Sequence, residues 1–220
     1  IGALVPIGGD GTLRGAIALA RFYKGGIVAC PGTIDNDLRG TSYTIGFATA
    51  VQTAVEAVDK IRDTADSHER MFLVEVMGRS SGYIALFTAL ASGAECVCVP
   101  ETPTDAAELV DQLMLMRDRG KSSIMMIVAE GDEKGGAKAI EKLLAEAGNP
   151  FKTRVVILGH LQRGGSPAPM DRIIAASMGD FAVQSLNQGQ TMSLSGIVGG
   201  ENRLTPMAQA VKGHNEIPVR

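Results

Sequence analysis

The sequence predicts an α/β protein built on mostly parallel sheet, and three observations predict it. Strand-like and helix-like segments alternate from end to end. The strand-like segments are unbroken apolar runs, as strands covered on both faces require. The polar motifs fall just after the last apolar residue of those runs, at the carboxyl ends where open parallel sheets bind ligands. The chain has 220 residues, 45% of them hydrophobic and 20% charged, enough for one large packed domain or two small ones. A formal net charge of −3 argues against a general nucleic-acid scaffold. No apolar run reaches the length of a membrane span, and no signal peptide is visible. Cys30, Cys96 and Cys98 lack the spacing of a zinc pair and are expected to be buried thiols in a reducing compartment. The sequence opens without Met inside an apolar strand, which points to a fragment lacking an N-terminal part.

The elements follow in order. Residues 3–7 form a strand, and 12–23 a helix with Leu13, Ile17 and Ala20 on one face. A strand over 27–30 precedes a long helix over 43–62, with Val51, Val55 and Val58 at helical spacing. A strand over 71–76 leads to a helix over 81–91 that Gly93 closes, and Pro100 stops a strand over 96–99. Asp105 caps a helix that runs to Arg119 and ends at Gly120. Strand 124–129, helix 136–147, strand 155–158 and helix 169–186 follow. The tail offers a weaker strand near 194–198 and a helix from Met207. No repeat, low-complexity tract or long linker interrupts the series.

Two strand ends stand out. The turn Gly8-Gly9-Asp10-Gly11-Thr12 opens a helical pattern, and a glycine-rich turn there offers backbone N–H groups to a phosphate. The loop Pro31–Asp37 carries Thr33 with two acids, Asp35 and Asp37, at i and i+2. Such acids repel, so they sit together mainly where a metal or a proton needs both. Met77-Gly78-Arg79, Glu130 and the run His160, Gln162, Arg163 close three further strands. Each cluster alone has a structural explanation: a Gly-Asp-Gly turn, an Asx-turn with a helix cap, a surface arginine, a capping Glu130. Arg70 and Arg154, each just before a strand, read equally as surface charges. Jointly those explanations need five coincidences on one sheet edge.

The motifs GGDGT, PGTIDND, SHERMFLVEVMGRSSGY and VVILGHLQRGGSPAPMDR resemble those of the ATP-dependent 6-phosphofructokinases, in order and spacing over nearly the whole chain. GGDGT is shared with NAD and lipid kinases, but an NAD kinase should lack TIDND followed by GHLQRGG. The resemblance implies two doubly wound, Rossmann-like three-layer domains with the chain crossing between them. Residues 1–46 and 162–212 would form the nucleotide domain and 47–161 the sugar-phosphate and effector domain. Part of the ATP site would lie N-terminal to the sequence.

The resemblance also assigns roles. Asp35 would be the general base, Thr33 would hold the transferring phosphoryl group, and Arg79 would contact it or the sugar. Gly9, Gly11 and Thr12 would cradle ATP, with Asp10 and Asp37 on Mg²⁺. Met77, Gly78 and Glu130 would line the fructose ring. Arg70, Arg154, His160 and Arg163 would bind the 6-phosphate of fructose 6-phosphate, the first two from a neighbouring subunit of a homotetramer. A cytoplasmic enzyme without nucleic-acid or membrane partners is implied. Arg62, Gly93, Glu95, Arg119 and Lys121 match an effector site, or are plain surface groups. Gly11 and Gly32 stand where pyrophosphate-dependent relatives carry Asp and Lys, which favours ATP as donor. A pyrophosphate-dependent enzyme and a non-catalytic regulatory subunit remain the alternatives.

Overall fold

A computed structural model of the chain describes residues 1–65, 70–215 and 217. The chain divides into two compact units, one built from Ile1–Thr49 and Ser166–Asn215, the other on Ala50–Gly165. The leading Ser67, His68 and Glu69 of the third motif lie outside the described residues.

The first unit is organised around β3 (Gly26–Thr33), whose side chains alternate between two faces. Ile27 and Ala29 pack with Leu13 and Ala16 of α1 (Asp10–Leu19) and Met207 of α7 (Met207–Ala210). Val28 and Cys30 pack with Ile174, Met178 and Ala182 of α6 (Pro169–Asn187). Helices therefore cover both faces. The first expected strand is split into β1 (Ala3–Leu4) and β2 (Ile7–Gly8), both parallel to β3. Pro6 stands in the gap, where it has no N–H for a ladder, but its carbonyl still accepts from Cys30 N at 2.9 Å. β4 (Ile45–Gly46) also pairs with β3 and takes the start of the expected long helix, which begins at Phe47 rather than at residue 43, as α2 (Phe47–Ala65). The buried stripe of α2 is Phe47, Ala50, Ala54 and Val58, so of the three valines read from the sequence Val58 is in the core and Val51 and Val55 are only half-buried. β9 (Ser193–Val198) pairs with β3, and β10 (Glu201–Pro206) returns antiparallel to β9. The sequence reading lacked β10. Its turn is Gly199-Gly200, both at positive φ (63° and 85°), the two-residue geometry that suits hairpin twist.

The second unit holds a four-stranded parallel sheet in the order β6 (Cys96–Cys98), β7 (Ser123–Ala129), β5 (Arg70–Val76), β8 (Lys152–Ile157). One face buries Met71, Leu73, Ile124, Met126 and Val128 under Val110 and Leu113 of α4 (Ala106–Asp118) and Ile140 and Leu144 of α5 (Ala137–Glu146). α3 (Tyr83–Ser92) packs on β6 and β7. Asp105 caps α4 as expected, accepting from Ala107 N at 2.9 Å and Glu108 N at 3.2 Å. β8 starts three residues earlier than the sequence suggests, so Arg154 lies within the strand, opposite Phe72. β8 is an edge strand whose polar start hid it. A 3-10 turn, Gly159–Arg163, follows it.

Candidate active site

In the first unit, β2 pairs with β3 so that Gly8 stands opposite Pro31. The Gly-rich turn and the acid loop therefore leave the sheet side by side. A Cβ added to Gly9 would meet Thr33 Cβ at 3.4 Å, ordinary contact distance, so the two turns are immediate neighbours there. α1 begins at Asp10, two residues before the sequence reading, which puts Asp10, Gly11 and Thr12 in its first turn. Gly9 is the N-cap and supplies no side-chain acceptor. The first-turn N–H groups are thus left without a side-chain cap, as an anion-binding helix start requires. The Asp10 carboxylate accepts from Arg14 Nε at 2.7 Å, a bond that raises the Arg14 pKa together with the Asp10 charge. Arg14 also donates to Val211 O at 2.9 Å.

Thr33 ends β3, and its Oγ1 accepts from Asp35 N at 3.3 Å. Asp35 and Asp37 are buried, at 5% and 9% exposure. Asn36 stands between them in the left-handed region, φ 51°, a conformation asparagine tolerates better than most residues. Both ends of its amide are engaged: Nδ2 donates to Ser42 O at 3.1 Å and Oδ1 accepts from Thr44 N at 2.8 Å. Thr44 Oγ1 in turn donates to Thr33 O at 2.7 Å. The far side of the loop is tied by residues near the end of the chain. His214 Nδ1 lies 3.2 Å from Asp37 Oδ2, Asn215 N donates to Asp37 O at 2.8 Å, and Asn215 Nδ2 reaches Leu38 O and Thr41 O. The sequence reading missed Asn36, His214 and Asn215. The left-handed preference of asparagine was a signal for the first, whereas nothing local marked the other two.

In the second unit, the carboxyl ends of β5, β7 and β8 share one sheet edge, since Val76 pairs with Ala129 and Glu75 with Ile157. Met77-Gly78-Arg79, Glu130 and the 3-10 turn with His160 and Arg163 are gathered there. Glu130 Oε1 accepts from Gly78 N at 3.3 Å and Arg79 N at 2.9 Å, so one carboxylate oxygen is committed to the turn. Gly131 carries no Cβ because one would lie 1.7 Å from Arg79 O. The Arg79 side chain is exposed, on a backbone at φ 53°. His160 lines an open groove of about 840 Å³ with Glu56 and Lys60 of α2 and Leu161. Arg70 and Arg154 are not with them. Arg70 opens β5 and Arg154 stands opposite Phe72, toward the other end of the sheet.

Four of the five expected effector residues fall into two pairs. Arg62 donates to Ser92 O at 2.9 Å and Gly93 O at 3.3 Å, at the left-handed C-cap of α3. Glu95 pairs with Lys121 and accepts from Met125 N at 2.7 Å. Arg119 is the exposed C-cap of α4. Among the described residues no three His, Cys, Asp or Glu side chains converge as a metal cluster. One or two carboxylates completed by substrate phosphates are enough for Mg²⁺, and Asp10 and Asp37 supply such hard oxygens.

Parallel α/β sheets with an uncapped Gly-rich helix start beside a braced acid loop are the architecture of an α/β phosphotransferase. The phosphofructokinase family model matches residues 1–186, and the chain belongs to that family. It is 50% identical to "ATP-dependent 6-phosphofructokinase 1" of Thermus thermophilus over 99% of this chain and 67% of that protein. It is 45% identical to "ATP-dependent 6-phosphofructokinase 2" of Bacteroides thetaiotaomicron over 100% of this chain and 67% of that one. Among solved structures, phosphofructokinase from Saccharomyces cerevisiae superposes with a TM-score of 0.87 at 34% identity, covering 96% of this chain and 33% of the yeast chain. The chain thus spans about two thirds of the curated relatives it matches. Among the described residues no helix is long and apolar enough to cross a membrane.

Proposed function

We propose that this chain serves an ATP-dependent 6-phosphofructokinase, which moves the γ-phosphoryl group of ATP to the 1-hydroxyl of fructose 6-phosphate, giving fructose 1,6-bisphosphate in glycolysis. The observation that carries the reading is the acid loop of β3, braced beside the uncapped helix turn of Gly9 and Asp10. Phosphoryl transfer needs positioning, charge neutralisation and an oriented nucleophile. The first unit supplies the phosphate cradle, the metal-holding carboxylates and the base. The N–H groups around Gly9, Gly11 and Thr12 receive the nucleotide phosphates. Asp35 takes the proton of the 1-hydroxyl as the new O–P bond forms and the bond to the β,γ-bridging oxygen breaks, releasing ADP. The Thr33 hydroxyl donates to the group in flight. Asp10 and Asp37 would hold Mg²⁺, which neutralises charge on the β- and γ-phosphates when bound.

The second unit binds the acceptor. Arg79 meets the sugar or the equatorial oxygens of the transferring group. Met77, Gly78 and the uncommitted oxygen of Glu130 meet the ring. His160 and Arg163 bind the 6-phosphate, joined by Arg70 and Arg154 of a neighbouring copy in a tetramer. Gly11 and Gly32 leave the space and charge that the α-phosphate of ATP needs. The expected setting is the cytoplasm, and Arg62, Gly93, Glu95, Arg119 and Lys121 would take an effector.

The test is the full-length protein incubated with fructose 6-phosphate and either ATP or pyrophosphate, scored for the bisphosphate. Product with ATP and Mg²⁺ is expected; product with pyrophosphate alone overturns the donor, and none with either overturns the activity. Asp35→Ser should lower kcat by roughly 10²–10⁴-fold with sugar-phosphate affinity kept. A kcat near that of the wild type would remove Asp35 as the base.

A further inference from the structure

Gln162 sits in the 3-10 turn between His160 and Arg163, yet its side chain points inward and the residue is 1% exposed. Its Oε1 accepts from Met77 N at 2.8 Å, while Nε2 is buried and, among the described residues, has no hydrogen-bond partner. Oε1 meets the need of a buried backbone N–H that an apolar side chain would leave orphaned, but the buried Nε2 goes unpaired at a cost. Such departures gather where function needs them.

What Gln162 holds explains it. Met77 N goes to Gln162, and the next two N–H groups, of Gly78 and Arg79, go to Glu130. Three consecutive amides of the β5 turn are thus held by side chains that follow the neighbouring strands. The turn needs them, because Arg79 stands at φ 53°, a region costly for a side chain of its size. Glu130 follows β7, whereas Gln162 belongs to the very turn that presents His160 and Arg163.

We propose that Gln162 is a positioning residue that couples the anion-binding turn to the Met77–Arg79 turn. A sugar phosphate held by His160 and Arg163 fixes the 3-10 turn, Gln162 carries that restraint to Met77 N, and the Arg79 backbone is steadied for the reacting end of the same substrate. Binding energy from the phosphate is thereby used at the distant hydroxyl. The inference rests on the reading that His160 and Arg163 meet the 6-phosphate.

The test compares the full-length wild type with Gln162→Met, which keeps the shape and removes the acceptor. Inorganic phosphate is the first probe, followed through the His160 ring resonance and through amide exchange at Met77, Gly78 and Arg79. In the wild type, phosphate should shift the His160 signal and slow exchange at the three amides. In the variant the His160 shift should persist while the slowing is lost. Kinetically, kcat should fall on the order of 10–100-fold, with the ATP KM unchanged. If phosphate leaves His160 of the wild type unmoved, the 6-phosphate reading falls and the coupling with it. If phosphate binds and protects the three amides equally in both proteins, only the coupling is overturned. A kcat within about threefold of wild type also overturns it. Unchanged exchange in α4 and α5 separates these outcomes from general unfolding.

Discussion

Gly11 stands in the first turn of α1 with open space where a Cβ would be added, so Gly11→Asp isolates donor choice from folding. Gly32 does not offer that separation, because a Cβ there would come within 3.1 Å of Gly8 N and of the Ile7 side chain. An acid in a first helical turn stabilises by about 0.3–1 kcal/mol through the helix dipole. Gly11→Asp should therefore keep or raise the melting temperature while the ATP KM rises and the fructose 6-phosphate KM stays. An unchanged ATP KM would show that Gly11 has no part in selecting the donor. The thiols give a second test at this scale. Burial pushes Cys30 and Cys96 up to about 11 and Cys98 to about 12, from 9.0 in solution. At neutral pH all three stay protonated, so a chromogenic disulfide reagent should leave the native protein unlabelled and react with all three after denaturation. The folded state holds these protons more tightly, so the stability they contribute is intact below pH 9 and is lost as pH climbs toward 11–12. Melting temperature should fall over that window, and less steeply in Cys98→Ala; equal slopes would remove Cys98 as a cause.

Among the elements, α2 begins under an acid from another helix. Asp171 of α6, 3% exposed, accepts from Gly46 N at 3.0 Å, from Thr49 N at 2.8 Å and from the Thr49 hydroxyl. A carboxylate at a helix N-terminus satisfies orphan donors and the helix dipole together. Asp171→Ala should cost about 3 kcal/mol, from lost charged hydrogen bonds and buried N–H groups left unpaired, or roughly 6–12 °C in melting temperature. A shift below about 2 °C would mean that water replaces the carboxylate. The sequence hid this cap, since the acid lies 122 positions beyond Thr49. Elements that declare themselves locally were legible: α4 by its capping Asp105 and terminal Gly120, α5 by its apolar spacing. β10 escaped, although Gly199-Gly200 between strand-like runs is a hairpin signal. The start of β8 escaped because Lys152, Thr153 and Arg154 carry no apolar run. The strand-end placement of the candidate site residues was legible from the apolar runs that precede them. They fall on two sheets, however, at β2 and β3 in one unit and at β5, β7 and β8 in the other, not on the single edge that the sequence suggests. The bracing contacts were not legible, since the hydrogen bonds of Asn36, Gln162 and Asn215 reach partners that the fold brings to them.

On the scale of the whole molecule, the four cations assigned to one 6-phosphate lie toward opposite ends of a sheet. β5 runs seven residues from Arg70, so Arg70 is about 20 Å along the strand from the turn that follows Val76. Arg154 is two positions nearer, opposite Phe72, still about 13 Å from that end. A phosphate only a few ångströms wide, held by His160 and Arg163, is beyond both. The conflict is resolved if Arg70 and Arg154 serve the site of a second copy related by a two-fold axis, each copy lending what the other lacks. β8 suits such a partner, being an edge strand with Ile157 49% and the following Leu161 71% exposed. Complementation distinguishes a shared site from a self-contained one. Arg154→Ala subunits lack a lent cation and Asp35→Ser subunits lack the base. Full-length versions, each weak alone, should regain part of the wild-type rate when dissociated and reassembled together, because some interfaces then join an intact base to an intact partner arginine. Native mass spectrometry establishes that hybrids have formed. If hybrids of known composition are no more active than the better parent, each copy works alone and Arg154 must act by some route other than a shared phosphate.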